Sequence, residues 1–100
     1  MIIQIVRYGS RLSRGEVDAR FKERSDRYRS VAGLLQKYYV EYEDSGEFGG
    51  IYVWDSKDSM DAWRAGNLAG SLAETYQVVD EPRSDLADVM LVLHPDRLPN

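Results

Sequence analysis

Trp54 closes the run Phe48-Gly49-Gly50-Ile51-Tyr52-Val53-Trp54. In a strand alternate residues share a face, so Trp54, Tyr52 and Gly50 point the same way. The glycine leaves a slot beside two large rings. Such a slot takes a planar aromatic molecule, with tyrosine hydroxyls orienting a phenol. Arg7 and Arg64 carry the charge that stabilises an enolate or phenolate, the anion that develops when a phenol is deprotonated for reaction with oxygen. Met60, Trp63 and Asn67 lie on or near a following helix and could close the pocket. Trp54, Arg64 and Arg7 are thus the candidate catalytic residues. Tyr52, Trp63, Met60, Asn67 and Tyr39 are the candidate substrate-binding residues.

Each has a plainer reading, and for most it weighs more. Large aromatics dominate cores. Met60 and Trp63 suit helix-to-sheet packing, Asn67 suits a helix cap, and the arginines suit surface ion pairs with abundant acids. His94 is the sole histidine. It titrates near neutrality and could act as a base, but no acidic or nucleophilic motif accompanies it, so a strand-end role is preferred. Asp55, Asp58 and Asp61 have no metal-site spacing and complement a helix N-terminus instead.

These residues need elements to hold them. Ile2 to Tyr8 is β-branched and reads as a strand. Ser13 and Glu16 form a capping-box pattern that opens a helix from Arg14 to about Ser30, with Val17, Phe21, Arg24 and Tyr28 at helical spacing. Leu34 to Glu43 alternates as a second strand. Tyr38 and Tyr42 share one face of it and Tyr39 takes the other. Asp44-Ser45-Gly46-Glu47 is a hairpin connection to a third strand, Phe48 to Trp54. Its paired glycines suggest a bulge or a close approach by another group. Asp55 to Asp58 starts a second helix, broken near Gly66 and resumed from Leu72 to Tyr76. Asp88 to His94 reads as the last strand and Pro95 to Asn100 as a tail.

The order is βαββαβ: an α+β chain with an antiparallel sheet and two helices on one face. At 100 residues it is read as one domain, 1–100. Both faces of the third strand are apolar while helices suffice for one, which points to a homodimer. The chain lacks cysteine, so thiolate metal sites and disulfides are excluded. With one histidine and no phosphate-binding glycine loop, neither metal, flavin nor haem is expected as a cofactor. The net charge of −4 opposes nucleic-acid and membrane partners, and a cytoplasmic location is expected. The charge is uneven: residues 1–37 hold nine basic against four acidic side chains, and residues 38–100 hold four against thirteen.

The segment Gly33 to Ser56, GLLQKYYVEYEDSGEFGGIYVWDS, resembles the YdhR-like monooxygenases. They belong to the dimeric α/β-barrel (ferredoxin-like) superfamily, with the antibiotic biosynthesis monooxygenases. The resemblance implies a ferredoxin-like fold, a homodimer with facing sheets, and a cavity between sheet and helices in each subunit. The strand-end tryptophan of the relatives matches Trp54-Asp55-Ser56. Haem-degrading relatives have an asparagine on strand 1, where this chain has Arg7, and a haem-ligating histidine on helix 2, where it has Trp63 and Arg64. The haem reading therefore loses its ligand. The function implied is a cofactor-independent monooxygenase acting on a small planar aromatic or phenolic compound. The alternative is a non-catalytic small-molecule-binding or stress-related module. RNA binding, suggested by the Glu47–Trp54 run, ranks last, since Ile2 to Val6 offers no stacking aromatic. The enzyme reading lacks an obvious base, so a tyrosine or ordered water would serve.

Overall fold

β-Branched residues restrict their own backbones and fit a pleated surface. Accordingly Ile2–Tyr8 forms the first strand, β1. The computed structural model describes residues 1–97. Ser13 caps the helix α1 (Arg14–Tyr28), and the reciprocal bonds of a capping box with Glu16 are both present. Val17, Arg24 and Tyr28 form its buried stripe. Gly33 then turns the chain at φ +80°, with its carbonyl accepting from Asp55 N at 2.8 Å. A β-carbon there would collide with Ser59 and Asp55, so only glycine fits.

Strand β2 (Leu34–Glu41) and strand β3 (Phe48–Trp54) form a hairpin. The connection begins earlier than the sequence suggests: Tyr42 N donates to Glu47 O and Gly46 N to Tyr42 O, with Gly46 at φ +71°. Helix α2 (Lys57–Arg64) is capped by Ser56 and buries Met60 and Trp63. The helix breaks at Gly66, as expected, and continues as two short pieces, α3 (Asn67–Gly70) and α4 (Leu72–Thr75).

The last strand, β4, is Arg83–Asp88 rather than Asp88–His94. The reason lies in register. Arg7 pairs with Arg83 and Ile2 with Asp88, so β1 runs out of backbone partners where the apolar segment begins. Val89 N still reaches Met1 O at 3.0 Å. Beyond it Met90, Leu91 and Leu93 are 98%, 83% and 79% exposed. Free β1 backbone groups, not side-chain apolarity, chose the strand. Pro95–Arg97 makes one 3₁₀ turn, and residues 98–100 of the expected tail lie outside the described residues.

The sheet order is β2-β3-β1-β4, antiparallel throughout. The ladder β1/β3 keeps register across Gly49-Gly50. The glycines answer a close approach instead: a β-carbon on Gly49 would strike the Val6 carbonyl. The irregularity falls in β2, between Leu34 and Gln36. One cluster joins Val6, Tyr28, Tyr52, Trp54, Met60 and Trp63 between sheet and helices. A second joins Tyr8, Val17, Phe48 and Tyr76. Ile3, Ile5, Ile51 and Val53 take the other sheet face, which no helix covers, and they are only half-buried.

Candidate functional site

Alternation decides what reaches the helix face. On β1 it presents Gln4, Val6 and Tyr8, all buried. Their partners on β3 are Tyr52, Gly50 and Phe48, and β2 adds Lys37 and Tyr39 opposite Tyr52 and Gly50.

Trp54, Tyr52, Met60 and Trp63 come together as a packed core cluster, and of the four only Trp63 lines the cavity described below. Tyr52 and Trp54 rings lie 6.1 Å apart at 3°, and Trp63 meets Tyr52 at 4.9 Å and Trp54 at 5.6 Å. Trp54 is 0% exposed, and its Nε1 donates to Gln4 Oε1 at 3.0 Å. Gln4 Nε2 in turn reaches Ser84 Oγ at 3.4 Å. A glutamine inside the β-branched run Ile2–Val6 thus ties the strand-end tryptophan to β4.

Between β1, β4 and the helical pieces lies a cavity of about 320 Å³. Gln4, Trp63, Arg64 and Ser84 supply its polar groups, and Val6, Leu72 and Pro82 much of its apolar wall. That size suits a small organic ligand. Trp63 brings a feature of its own: its Nε1 is buried with no hydrogen-bond partner among the described residues. An orphaned donor of this kind costs free energy unless something accepts from it. Arg64 is exposed at the rim.

Asn67 opens α3 on the surface, and the cap there is Gly66, without a side-chain bond. Arg7 stands on the opposite sheet face from Val6 and Tyr8. Its Nη1 meets Asp44 Oδ2 at 3.2 Å, and its guanidinium lies 3.9 Å over the Tyr42 ring. The ion-pair reading of Arg7 therefore holds, and the fold does not bring it to the cavity. Tyr38 is 51% exposed on that same outer face, while Tyr39 packs against Phe21 at 4.8 Å on the helix face. His94 is exposed.

Beside this cavity is a small aromatic chamber of about 10 Å³, room for one water. Tyr8, Phe21, Lys37, Tyr39, Tyr52 and Tyr76 line it. Burial pushes the Tyr8, Tyr39 and Tyr52 phenols well up, and Tyr76 up to about 12. Desolvation penalises the phenolate, so these hydroxyls remain protonated at neutral pH and can donate but not accept a proton. Arg24 runs under the helical pieces, donating to Thr75 Oγ1 at 3.0 Å, Leu68 O at 3.1 Å and Ser71 Oγ at 2.9 Å.

Lys37, Gln4, Arg24 and Tyr28 are the residues that sequence reasoning missed. The signal for Lys37 was present: it shares strand parity with Tyr39, so whichever face takes one takes both. No cluster of histidine and acidic residues capable of holding a metal occurs among the described residues.

No family profile and no curated protein matches the chain. Solved structures do. SnoaB from Streptomyces nogalater, a cofactor-independent oxygenase, aligns at TM-score 0.72 and 13% identity over 92% of this chain and 95% of its own. A structure described as an antibiotic biosynthesis monooxygenase aligns at 0.70 and 15%, over 91% and 100%. A manganese-protoporphyrin complex of an MhuD variant aligns at 0.71 and 16%, over 93% and 98%. The chain shares the fold of these structures. At such identities the likeness shows the ferredoxin-like architecture, with helices over one face of a four-stranded sheet. Among the described residues no helix is long and apolar enough to cross a membrane.

Proposed function

We propose that this chain is a homodimeric, cofactor-independent monooxygenase of the YdhR-like kind, taking a small planar phenolic compound. The observation that carries this reading is the 320 Å³ cavity, with the Trp63 side chain in its wall and a guanidinium at its rim. The indole packs against a flat ring, and Arg64 lies near the charge that develops as the proton leaves. The protein orients the ring and excludes water, and the substrate supplies the electrons to dioxygen. For an anthrone, one oxygen atom enters the ring carbon as a carbonyl and the other leaves as water. Trp54 acts behind this wall: through Gln4 it holds the floor of the cavity in place.

A second reading, a binding module without catalysis, draws support from the same wall. The cavity is lined by no carboxylate, histidine or lysine among the described residues, so a proton acceptor would have to be solvent or part of the ligand. Aerobic incubation with anthrone, with and without chelator, decides between the two. Catalytic formation of anthraquinone in both conditions supports the enzyme. Saturable binding without product supports the module.

A further inference from the structure

Lys37 occupies a place in the sheet where its charge meets no counter-charge. It pairs with Tyr52 across β2 and β3 and projects toward the helices. Its Nζ lies 3.2 Å from the Tyr28 ring centroid, 4.2 Å from that of Tyr39 and 4.6 Å from that of Tyr52. The chain's other lysines, Lys22 and Lys57, pair with Asp18 and Asp61 at 2.9 and 3.7 Å. Lys37 makes no ion pair among the described residues. Gly50 gives it space: a β-carbon there would stand 3.3 Å from Lys37 Cε.

The groups around the amine are consistent in sign. From α1 come Tyr28 and Arg24, from its C-cap Arg29, which is paired with Asp26 at 3.0 Å, from β3 Tyr52, from β2 itself Tyr39, and from the chamber Tyr8 and Tyr76. The tyrosines are neutral and the arginines positive. Burial, and after it the charge of Arg24, push the Lys37 amine down to about 6. The ring faces attract a cation and pull the other way. They carry no net charge, however, and do not replace the hydration an ammonium loses. Besides the small chamber, the Lys37 side chain lines an open groove of about 580 Å³ between α1 and β2, with Ser25, Arg29, Gln36 and Tyr39.

We propose that Lys37 is a carbonyl-reactive amine, and that the groove between α1 and β2 is a binding site for aldehydes and ketones, aromatic ones above all. The Nζ lone pair attacks the carbonyl carbon, a C–N bond forms, and the carbonyl π electrons pass to oxygen. Loss of one water then leaves an imine, with no oxidant or reductant required, and hydrolysis reverses it. Once protonated, the imine is a cation held against three tyrosine faces. Tyr28 and Tyr52 stand between Lys37 and Trp63, so this site is distinct from the cavity of the monooxygenase reading and does not depend on it.

The test uses the intact protein, benzaldehyde and sodium cyanoborohydride at pH 7, with peptide mapping of the reduced adduct. Lys22 and Lys57, exposed and ion-paired, serve as internal controls. Lys37 is expected to be alkylated at least about tenfold faster than either, because an ordinary lysine is almost wholly protonated at that pH. The absolute rate at Lys37 should fall about tenfold at pH 5, and its advantage over the controls should shrink toward pH 10 and vanish in urea. The Lys37→Arg variant should lose the Lys37 adduct and keep the labelling of Lys22, Lys57 and the N-terminus. Labelling of Lys37 no faster than the controls in the folded protein, or its labelling only after unfolding, overturns the proposal.

Discussion

Trp63 is where packing and binding separate. Its ring contacts Tyr28, Tyr52 and Trp54, but its N–H has no partner. Trp63→Phe keeps most of the apolar contact and removes the donor. The smaller ring leaves a void in the cluster, so stability should fall by about 1 kcal/mol in urea titrations, and a bound phenol should weaken by about 1 kcal/mol, roughly fivefold, by calorimetry. Lys37 makes the opposite kind of contribution. Its folded pKa is depressed to about 6, while the unfolded chain titrates in the ordinary lysine range. Between those values the unfolded state binds the extra proton, so stability rises with pH across that window. Below about pH 6 both states are protonated and the cost of the buried charge is fully present. Urea titrations from pH 6 to pH 10 should therefore show a positive slope that flattens in Lys37→Met. An unchanged slope in the variant would show that the amine titrates normally in the fold.

The helical cover over the sheet is uneven. α1 has a capping box and four turns of buried stripe, whereas α3 and α4 are four-residue pieces with no side-chain caps and no fully buried residues. Short helices gain little from their own hydrogen bonds and depend on tertiary contacts. Arg24 supplies those contacts, fastening Leu68, Ser71 and Thr75 to α1 through neutral acceptors. Arg24→Met should cost on the order of 2 kcal/mol, since charge-assisted bonds are lost while the burial cost of the guanidinium is relieved. Hydrogen exchange should rise mainly at amides of residues 67–76. Uniform loosening of the sheet would instead place Arg24 in the general core. These pieces also wall the 320 Å³ cavity, so the same variant should weaken ligand binding there.

Taken whole, the molecule leaves one apolar sheet face bare. Ile3, Ile5, Ile51 and Val53 lie there, with Tyr38 beside them, and Met90, Leu91 and Leu93 follow β4 in the open. Apolar surface of this kind on a small domain fits an association surface. A homodimer packed sheet to sheet would cover it and spare the cavities, which lie on the helix side. Light scattering at micromolar concentration should give twice the chain mass. Ile5→Glu should return the mass of one chain with its circular dichroism intact. A monomeric wild type would remove the homodimer from the proposed function and leave the cavity unaffected.

Local chemistry was legible from the residues themselves. The capping box at Ser13 and Glu16, the break at Gly66, the turn at Gly33 and the parity that puts Trp54 with Tyr52 all depend on neighbours a few positions apart. The βαββαβ order followed from them. What lies farther apart in sequence needed the fold. The last strand was chosen by the free edge of β1, far away in sequence, so Arg83–Asp88 is strand and the more apolar segment after it is not. Arg7 and Arg64 look alike as residues, yet one pairs with Asp44 on the outer face and the other rims the cavity. The amine of Lys37 is the clearest case. Its strand parity is local, but its loss of hydration comes from Tyr28 on another helix and Tyr52 on another strand, brought together only when sheet and helix close. Periodicity determines which way a side chain points, and tertiary packing determines what it meets there.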